Sequence, residues 1–325
     1  MVVTHNRLDK LKATLARLLE TPVADLLAVL VVDNASDDGT GAWLAAQDDP
    51  RLTVHSSAAN TGGAGGFETG MRLAMQRFDP DWLVVMDDDA RPAPGALNAF
   101  HRLDKTGWAA VAAAVYYPQG GLCEMNRPSR NPFWHGREFL RTALGGGRRG
   151  FHVTAQDYDG PGMDVDVASF VGLFVSRAGV ARVGYPDGRL FVYGDDGLYT
   201  LGLSRAGGRI RFAPQVRFEH DCSTFTGDKG GGGGRFRPLW KVYYYHRNLL
   251  LLYRMAAGVW FWPVMLVILP KWLVKVVRHP GQRRVFLRLL GRAVRDGLAG
   301  RTGVDHGDIL ALSGSGSRGD NAPEG

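Results

Sequence analysis

Trp82-Leu83-Val84-Val85-Met86-Asp87-Asp88-Asp89-Ala90-Arg91-Pro92 carries an apolar run straight into three consecutive carboxylates. The apolar part reads as a buried strand, and Pro92 stops it soon after the charges. Three like charges at the end of such a strand repel one another and are costly to desolvate unless a cation balances them. Asp87 and Asp89 lie two residues apart, so on an extended backbone they point to the same side. Two carboxylates on one side suit a hard divalent cation, Mg²⁺ or Mn²⁺, that also carries substrate phosphates. The plainer alternative for this stretch alone is a solvated acidic turn.

Outward from this stretch, strands and helices alternate. Leu8, Leu11, Leu15, Leu18 and Leu19 recur at helical spacing between Asn6 and Leu19. Leu26 to Val32 is strand-like and ends in Asp33-Asn34-Ala35-Ser36-Asp37-Asp38-Gly39, with Ser36 or Asp37 placed to cap a helix through Trp43. Arg51 to His55 predicts a short strand, the glycine-rich Asn60–Phe67 stretch a loop, and Glu68 to Phe78 a helix. This alternation argues for an α/β domain with a mostly parallel sheet and helices on both faces. Ligands of such sheets sit beyond the carboxyl ends of the strands, which puts Asp33, Asn60 and Asp87 on one rim. Farther on, Ala109 to Tyr117 and Asp164 to Ser176 read as strands, Gly197 to Ala206 as a helix and Ile210-Arg211-Phe212 as a short strand. Arg141 to Gly150 is a loop rich in glycine and arginine.

With 325 residues and 45% hydrophobic content, the chain is long enough to bury a sizeable core as one large domain plus an appendage. Lys and Arg outnumber Asp and Glu, 39 to 32, and the excess gathers after about residue 235, which suits an anionic partner. Cys123 and Cys222 stand in unrelated contexts without metal-type spacing, as expected in a reducing cytoplasm. No signal peptide is visible, and Val2 and Val3 read as the end of a strand that starts upstream. The expected organisation is an α/β unit over 1–235, a helical segment over 236–310 and a disordered tail over 311–325.

Two further groups carry chemistry. Asp195 and Asp196 are a second acidic pair: one carboxylate poised near an incoming hydroxyl acts as a general base, while the bland alternative is a helix N-cap. His220 ends a strand; isolated histidines are mostly structural, but a neutral imidazole completes a carboxylate metal site. The glycines after Asn60 allow close backbone approach, and a helix N-terminus favours anions, although the stretch matches no phosphate-binding fingerprint.

The ordered set Thr4-His5-Asn6, Asp33-Asn34-Ala35-Ser36, Asp38-Gly39, Asn60-Thr61-Gly62-Gly63, Asp87-Asp88-Asp89, Asp195-Asp196 and His220 resembles the family 2 glycosyltransferases, inverting enzymes of the GT-A fold that use nucleotide sugars. Asn60 to Phe67, the triple aspartate and Tyr243-Tyr244-Tyr245-His246-Arg247-Asn248 look most like the galactofuranosyltransferases. Rhamnosyltransferases that use dTDP-rhamnose share several of these motifs. The resemblance implies a UDP-sugar donor held by Thr4, Asp33, Asn60, Gly62, Gly63 and Asp88, with Arg247 at the diphosphate. It further implies Mn²⁺ or Mg²⁺ on Asp87, Asp89 and His220, with Asp196, beside Asp195, as base. A binding module that has lost catalysis is the competing reading.

The C-terminal part adds two expectations. The glycines of Asp228–Arg235 form either a closing lid or a plain linker. The apolar run Gly258–Leu269, cut by Pro270-Lys271, is shorter than a bilayer span, and the arginines that follow, Arg283, Arg284, Arg288, Arg292 and Arg295, interleave with apolar residues. Tryptophans beside such a run suit an amphipathic segment lying in an anionic membrane surface, with a spanning helix left open. The expected setting is peripheral, on the cytoplasmic face of the cell membrane, with a glycan or lipid-linked glycan as acceptor. Nucleic acid is not an expected partner, because the arginines follow helical spacing without a nucleic-acid motif.

Overall fold

The structure, a computed structural model, describes residues 1–222 and 235–314. The closing-loop expectation for the glycine run and the expected disordered tail fall largely outside these residues. Strands β1 (Val2–Thr4), β2 (Val29–Asp33), β3 (Leu52–Ser56), β4 (Trp82–Asp87), β5 (Ala90–Pro92), β6 (Ala110–Tyr116), β7 (Met163–Val165), β8 (Leu173–Ser176) and β9 (Ile210–His220) form one sheet. Its order is β3-β2-β1-β4-β8-β6-β9-β5, with β7 paired to β9. β3, β2, β1 and β4 run parallel, as the alternation predicts. β8 then enters antiparallel between β4 and β6, so the complete sheet is mixed.

Side-chain alternation builds the two faces of the sheet. Val3, Leu30 and Val32 point to one side, against Phe67 and Met71 of α3 (Gly62–Phe78). Val2, Val29 and Val31 point to the other, against Leu11, Leu15 and Leu18 of α1 (Leu8–Leu19) and Leu44 of α2 (Thr40–Ala45). The register pairs Thr4 with Asp33 and Val3 with Asp87, so these residues end neighbouring strands on one edge.

Several elements differ from the sequence reading, each for a local reason. α3 begins at Gly62 rather than Glu68, because its glycines allow close packing: a Cβ on Gly66 would strike Val3 and one on Gly65 would strike Thr61. The stretch read as one strand over 164–176 is two, β7 and β8. β9 is much longer than Ile210–Phe212; the β6–β9 register slips between Ala113 and Ala114, and Pro214 lies opposite in β9. After α4 (Ala96–His101), α5 (Gly136–Arg141) and α6 (Arg177–Val183), helix α7 (Asp195–Arg205) starts at the acidic pair itself.

Helices α8 (Lys241–Ala257), α9 (Phe261–Val274), α10 (Arg283–Leu298) and α11 (His306–Ser313) surround a third core. One expectation is corrected here. The apolar side of α10, Phe286, Leu289, Leu290 and Ala293, is buried within this core, against α8. That side is therefore turned to α8 rather than to a membrane. α9 differs: Trp262, Leu266, Val267, Leu273 and Val274 are exposed.

Candidate active site

Where β4 ends, the chain turns through the acidic trio, and alternate carboxylates part company. Asp87 and Asp89 join His220, at the end of β9, with ligand atoms all within 4.8 Å of one another. His220 Nε2 lies 3.1 Å from Asp89 Oδ1, while Nδ1 lies 2.7 Å from Asn126 Oδ1. Asp88 turns the other way: its Oδ2 accepts a 2.7 Å bond from the Thr4 hydroxyl, and Thr14 Oγ1 donates to its backbone carbonyl. Arg7, at the mouth of the β1–α1 loop, reaches Asp89 Oδ2 at 2.9 Å and Asp88 Oδ1 at 3.5 Å.

The electrostatics follow from this crowding. Burial, and then the charge of Asp89, push the Asp87 carboxyl up to about 7. Burial opposes charge on Asp89 as well, but the bond to His220, helped by Arg7, holds it below the usual carboxylate range. Burial would lower His220, yet the bond to Asp89 outweighs it and carries the imidazole up to about 10. Two carboxylates and one imidazole, mutually close, with Asp89 and His220 buried and Asp87 partly so, form a donor set that fits Mn²⁺ or Mg²⁺.

The second acidic pair opens α7 beyond an unusual turn. Phe191 and Tyr193 have φ of +68° and +69°, sparsely populated values for non-glycine residues, and Gly194 follows at +75°. Burial, then the Asp196 charge and more weakly that of Asp87, push Asp195 up to about 8. The charge of Asp87 thus reaches Asp195, which places the two acidic groups within electrostatic range of each other. Burial raises Asp196 to about 6, opposed by the Gly197 N–H that donates to its Oδ1 at 2.6 Å.

The turn is held from two sides. On one, Ala64 N–H donates to the Phe191 carbonyl at 3.0 Å. On the other, Asn248 Nδ2 of α8 approaches the carbonyls of Leu190, Val192 and Tyr193 at 3.1, 2.9 and 2.7 Å. Asn60 Oδ1 accepts from Gly62 N–H at 2.8 Å and from Asn34 Nδ2 at 3.1 Å. Gly62 has φ +72°, and a Cβ there would collide with the Phe191 carbonyl; Gly63 faces open space. Asp33 Oδ1 accepts from Ser36 N–H at 3.0 Å, fixing the loop after β2.

The geometry therefore gathers Asp87, Asp89 and His220, with Asp195 within reach of the Asp87 charge and Asp196 beside it at the same helix start. It leaves three of the expected donor residues otherwise engaged. Arg247 is fully buried. Its Nη1 donates to Thr302 O at 2.9 Å, Nη2 to Leu190 O at 2.8 Å and Nε to Asn248 Oδ1 at 2.7 Å. It holds backbone rather than a diphosphate. Thr4 and Asp88 bond to each other inside the fold, so neither side chain is presented to a nucleotide. Arg7, Asn34, Asn126 and Asn248 were missed as participants. Asn34 and Asn248 lie inside quoted motifs, whereas nothing in the sequence marks Asn126, which meets His220 only through the fold. Cys123 and Cys222, read as unrelated, also meet behind His220, with sulfurs 4.0 Å apart and Cys123 Sγ 3.9 Å from Nδ1.

Residues 1–174 match the sequence model of the family described as Glycosyl transferase family 2. The chain belongs to glycosyl transferase family 2. Its relatives include galactofuranosyltransferase GlfT1 of Mycobacterium tuberculosis, 30% identical over 244 residues that span 74% of this chain and 72% of that one. GlfT1 of Mycolicibacterium smegmatis is 30% identical over 69% of this chain and 70% of its own. The undecaprenyl-phosphate mannosyltransferase of Micrococcus luteus is 32% identical over 45% of this chain and 59% of its own. Among solved structures, the Pyrobaculum calidifontis mannosyltransferase PcManGT with GDP-Man and Mn²⁺ overlays 97% of this chain and 78% of its own, at TM-score 0.50 and 18% identity. GalNAc-T7 with UDP, GalNAc and Mn²⁺ overlays 77% of this chain and 46% of its own, at TM-score 0.50 and 14% identity. This family 2 enzyme is thus a glycosyltransferase with the GT-A fold expected from its motifs.

Proposed function

We propose that this glycosyltransferase is a metal-dependent inverting enzyme that moves galactofuranose from UDP-galactofuranose to a cell-surface glycan or a lipid-linked acceptor. The observation that carries the reading is the convergence of Asp87, Asp89 and His220 on one point, with Asp195 within reach of the Asp87 charge. The galactofuranosyltransferase relatives supply the sugar. Asp87, Asp89 and His220 hold a divalent cation, which when bound supplies positive charge for the departing diphosphate. Asp33, Asn60 and the backbone of Gly62 and Gly63 line the donor pocket, Gly63 where a ligand approaches the helix N-terminus.

Asp195 and Asp196 divide the proton work by environment. With its carboxyl up at about 8, Asp195 is largely protonated at neutral pH, whereas Asp196, at about 6, is mostly ionised and acts as base. The acceptor oxygen forms its bond to the anomeric carbon as the carbon–oxygen bond to the diphosphate breaks. The electron pair leaves with UDP and the hydroxyl proton goes to Asp196. A single displacement of this kind inverts the anomeric configuration.

The exposed apolar face of α9 supports a peripheral position on the anionic cytoplasmic surface of the cell membrane. α9 alone, at 14 residues, reaches about 21 Å, but it lies in the continuous helical stretch Lys241–Arg278, which by length and composition is able to cross a membrane. Incubating the purified protein with UDP-galactofuranose and Mn²⁺ and following UDP release tests the proposal. Turnover that a chelator stops and that Asp196→Asn lacks supports it. Turnover with dTDP-rhamnose alone would reassign the donor, and no turnover with any nucleotide sugar by a folded protein would refute it.

A further inference from the structure

The segment between α5 and residue 150 carries an apolar surface that catalysis does not use. Leu140 is 59% and Leu144 84% exposed, and Phe139 is exposed beside them. Arg137, Arg141, Arg148 and Arg149 are exposed around them, and among the described residues none of the four has an ion-pair partner. The surface continues into α9: the Phe139 ring lies 6.4 Å from that of Trp260, followed by Val259, 91% exposed, and by Trp262 and Leu266.

Contiguous apolar patches of this kind mark interaction sites, and the unpaired arginines select the occupant. A second copy of the chain would set arginine rim against arginine rim. An apolar protein groove would leave the guanidiniums without partners. An anionic bilayer satisfies both halves: acyl chains receive the leucines and aromatic rings, while lipid phosphates meet the arginines.

We propose that residues 136–149 are a second membrane-inserting element, which docks with α9 on an anionic phospholipid surface. This deepens the peripheral-membrane reading above and rests on it. With two elements far apart in sequence inserted, the catalytic unit is held at one orientation to the surface rather than swinging on a single helix.

Co-sedimentation of the full chain with vesicles of phosphatidylcholine, with and without phosphatidylglycerol, tests the two levels separately. The wild type is expected to bind the anionic vesicles. Leu140→Glu with Leu144→Glu should weaken that binding at least about tenfold, because each inserted leucine contributes on the order of one factor of ten. Arg141→Gln with Arg148→Gln and Arg149→Gln should reduce the preference for phosphatidylglycerol, with urea midpoints unchanged at these exposed positions. If the leucine pair binds like wild type while Leu266→Glu with Val267→Glu does not, the second element is refuted and the peripheral reading stands. If the α9 variant also binds like wild type, or the wild type ignores anionic vesicles, the peripheral reading falls with it.

Discussion

Replacing Asn248 with leucine removes the amide that pins the turn before the second acidic pair while nearly keeping its volume. Asn248 Nδ2 serves the carbonyls of Leu190, Val192 and Tyr193, and its Oδ1 accepts from Arg247 Nε. Leu190 O keeps Arg247 Nη2, so Val192 O, Tyr193 O and Arg247 Nε lose the partners described here. With Val192 O and Arg247 Nε left unpaired at about 1–2 kcal/mol each, and one bond to Tyr193 O lost at about 1 kcal/mol, the gross loss is about 3–5 kcal/mol. The left-handed conformations of Phe191 and Tyr193 store on the order of 1–3 kcal/mol each, and part of this is released as the turn relaxes. The net destabilisation expected in equilibrium urea denaturation is about 2–4 kcal/mol. Relaxation also moves Asp195 and Asp196, and a displacement of about 1 Å costs roughly a hundredfold in rate. Donor turnover in the folded variant should therefore fall by about that factor with donor KM little changed. An unchanged urea midpoint would refute the hydrogen-bond argument. A lowered midpoint with kcat within about threefold of wild type would show that the strained turn does not position the carboxylates.

The remaining expectations concern the site itself. With Asp196 raised to about 6, its basic form is lost below that pH, so kcat should climb as pH rises through about 6 and then level. Asp196→Asn should abolish that limb together with about 10²–10⁴ of the rate, and an unaltered pH profile would remove Asp196 from the base role. Chelation should stop turnover and lower the melting temperature, and excess Mn²⁺ at about a hundred times its dissociation constant should restore about 2.7 kcal/mol; Asp89→Ala should gain nothing from the metal. Gly62→Ala, which meets both a left-handed φ and the Phe191 carbonyl, should cost about 2–3 kcal/mol, whereas Gly63→Ala, in open space, should stay within about 1 kcal/mol of wild type. Equal urea midpoints for these two variants would contradict the packing described at the start of α3.

The strands that bear the site could be read from sequence because their signals are local: the apolar runs of β2 and β4, and leucines at helical spacing in α1. The same holds for Asp87 and Asp89, whose two-residue spacing on an extended chain decides their common side. Arg247 misled because the resemblance of Tyr243–Asn248 implied a diphosphate contact, whereas its partners, the carbonyls of Leu190 and Thr302, are set by packing between distant segments. Thr4 and Asp88 were misplaced for a related reason, since strand pairing brings their side chains together across the interior. α10 looked membrane-facing because its arginines and apolar residues alternate with helical period. Periodicity reports that a helix has an apolar side, but not whether lipid or α8 covers it.

His220 stands 131 residues after Asp89, its partner in the metal-binding group. A ribosome adding about 5–20 residues each second therefore leaves the acidic trio without its imidazole for roughly ten seconds, with Arg7 the cation already at hand. β4 also waits for β8 before its second edge is covered. The nascent enzyme should accordingly gain metal affinity late and in one step, once β9 has emerged. Stalled chains that end before His220 should bind Mn²⁺ no better than Asp89→Ala, and tight binding by such a chain would contradict this order of assembly.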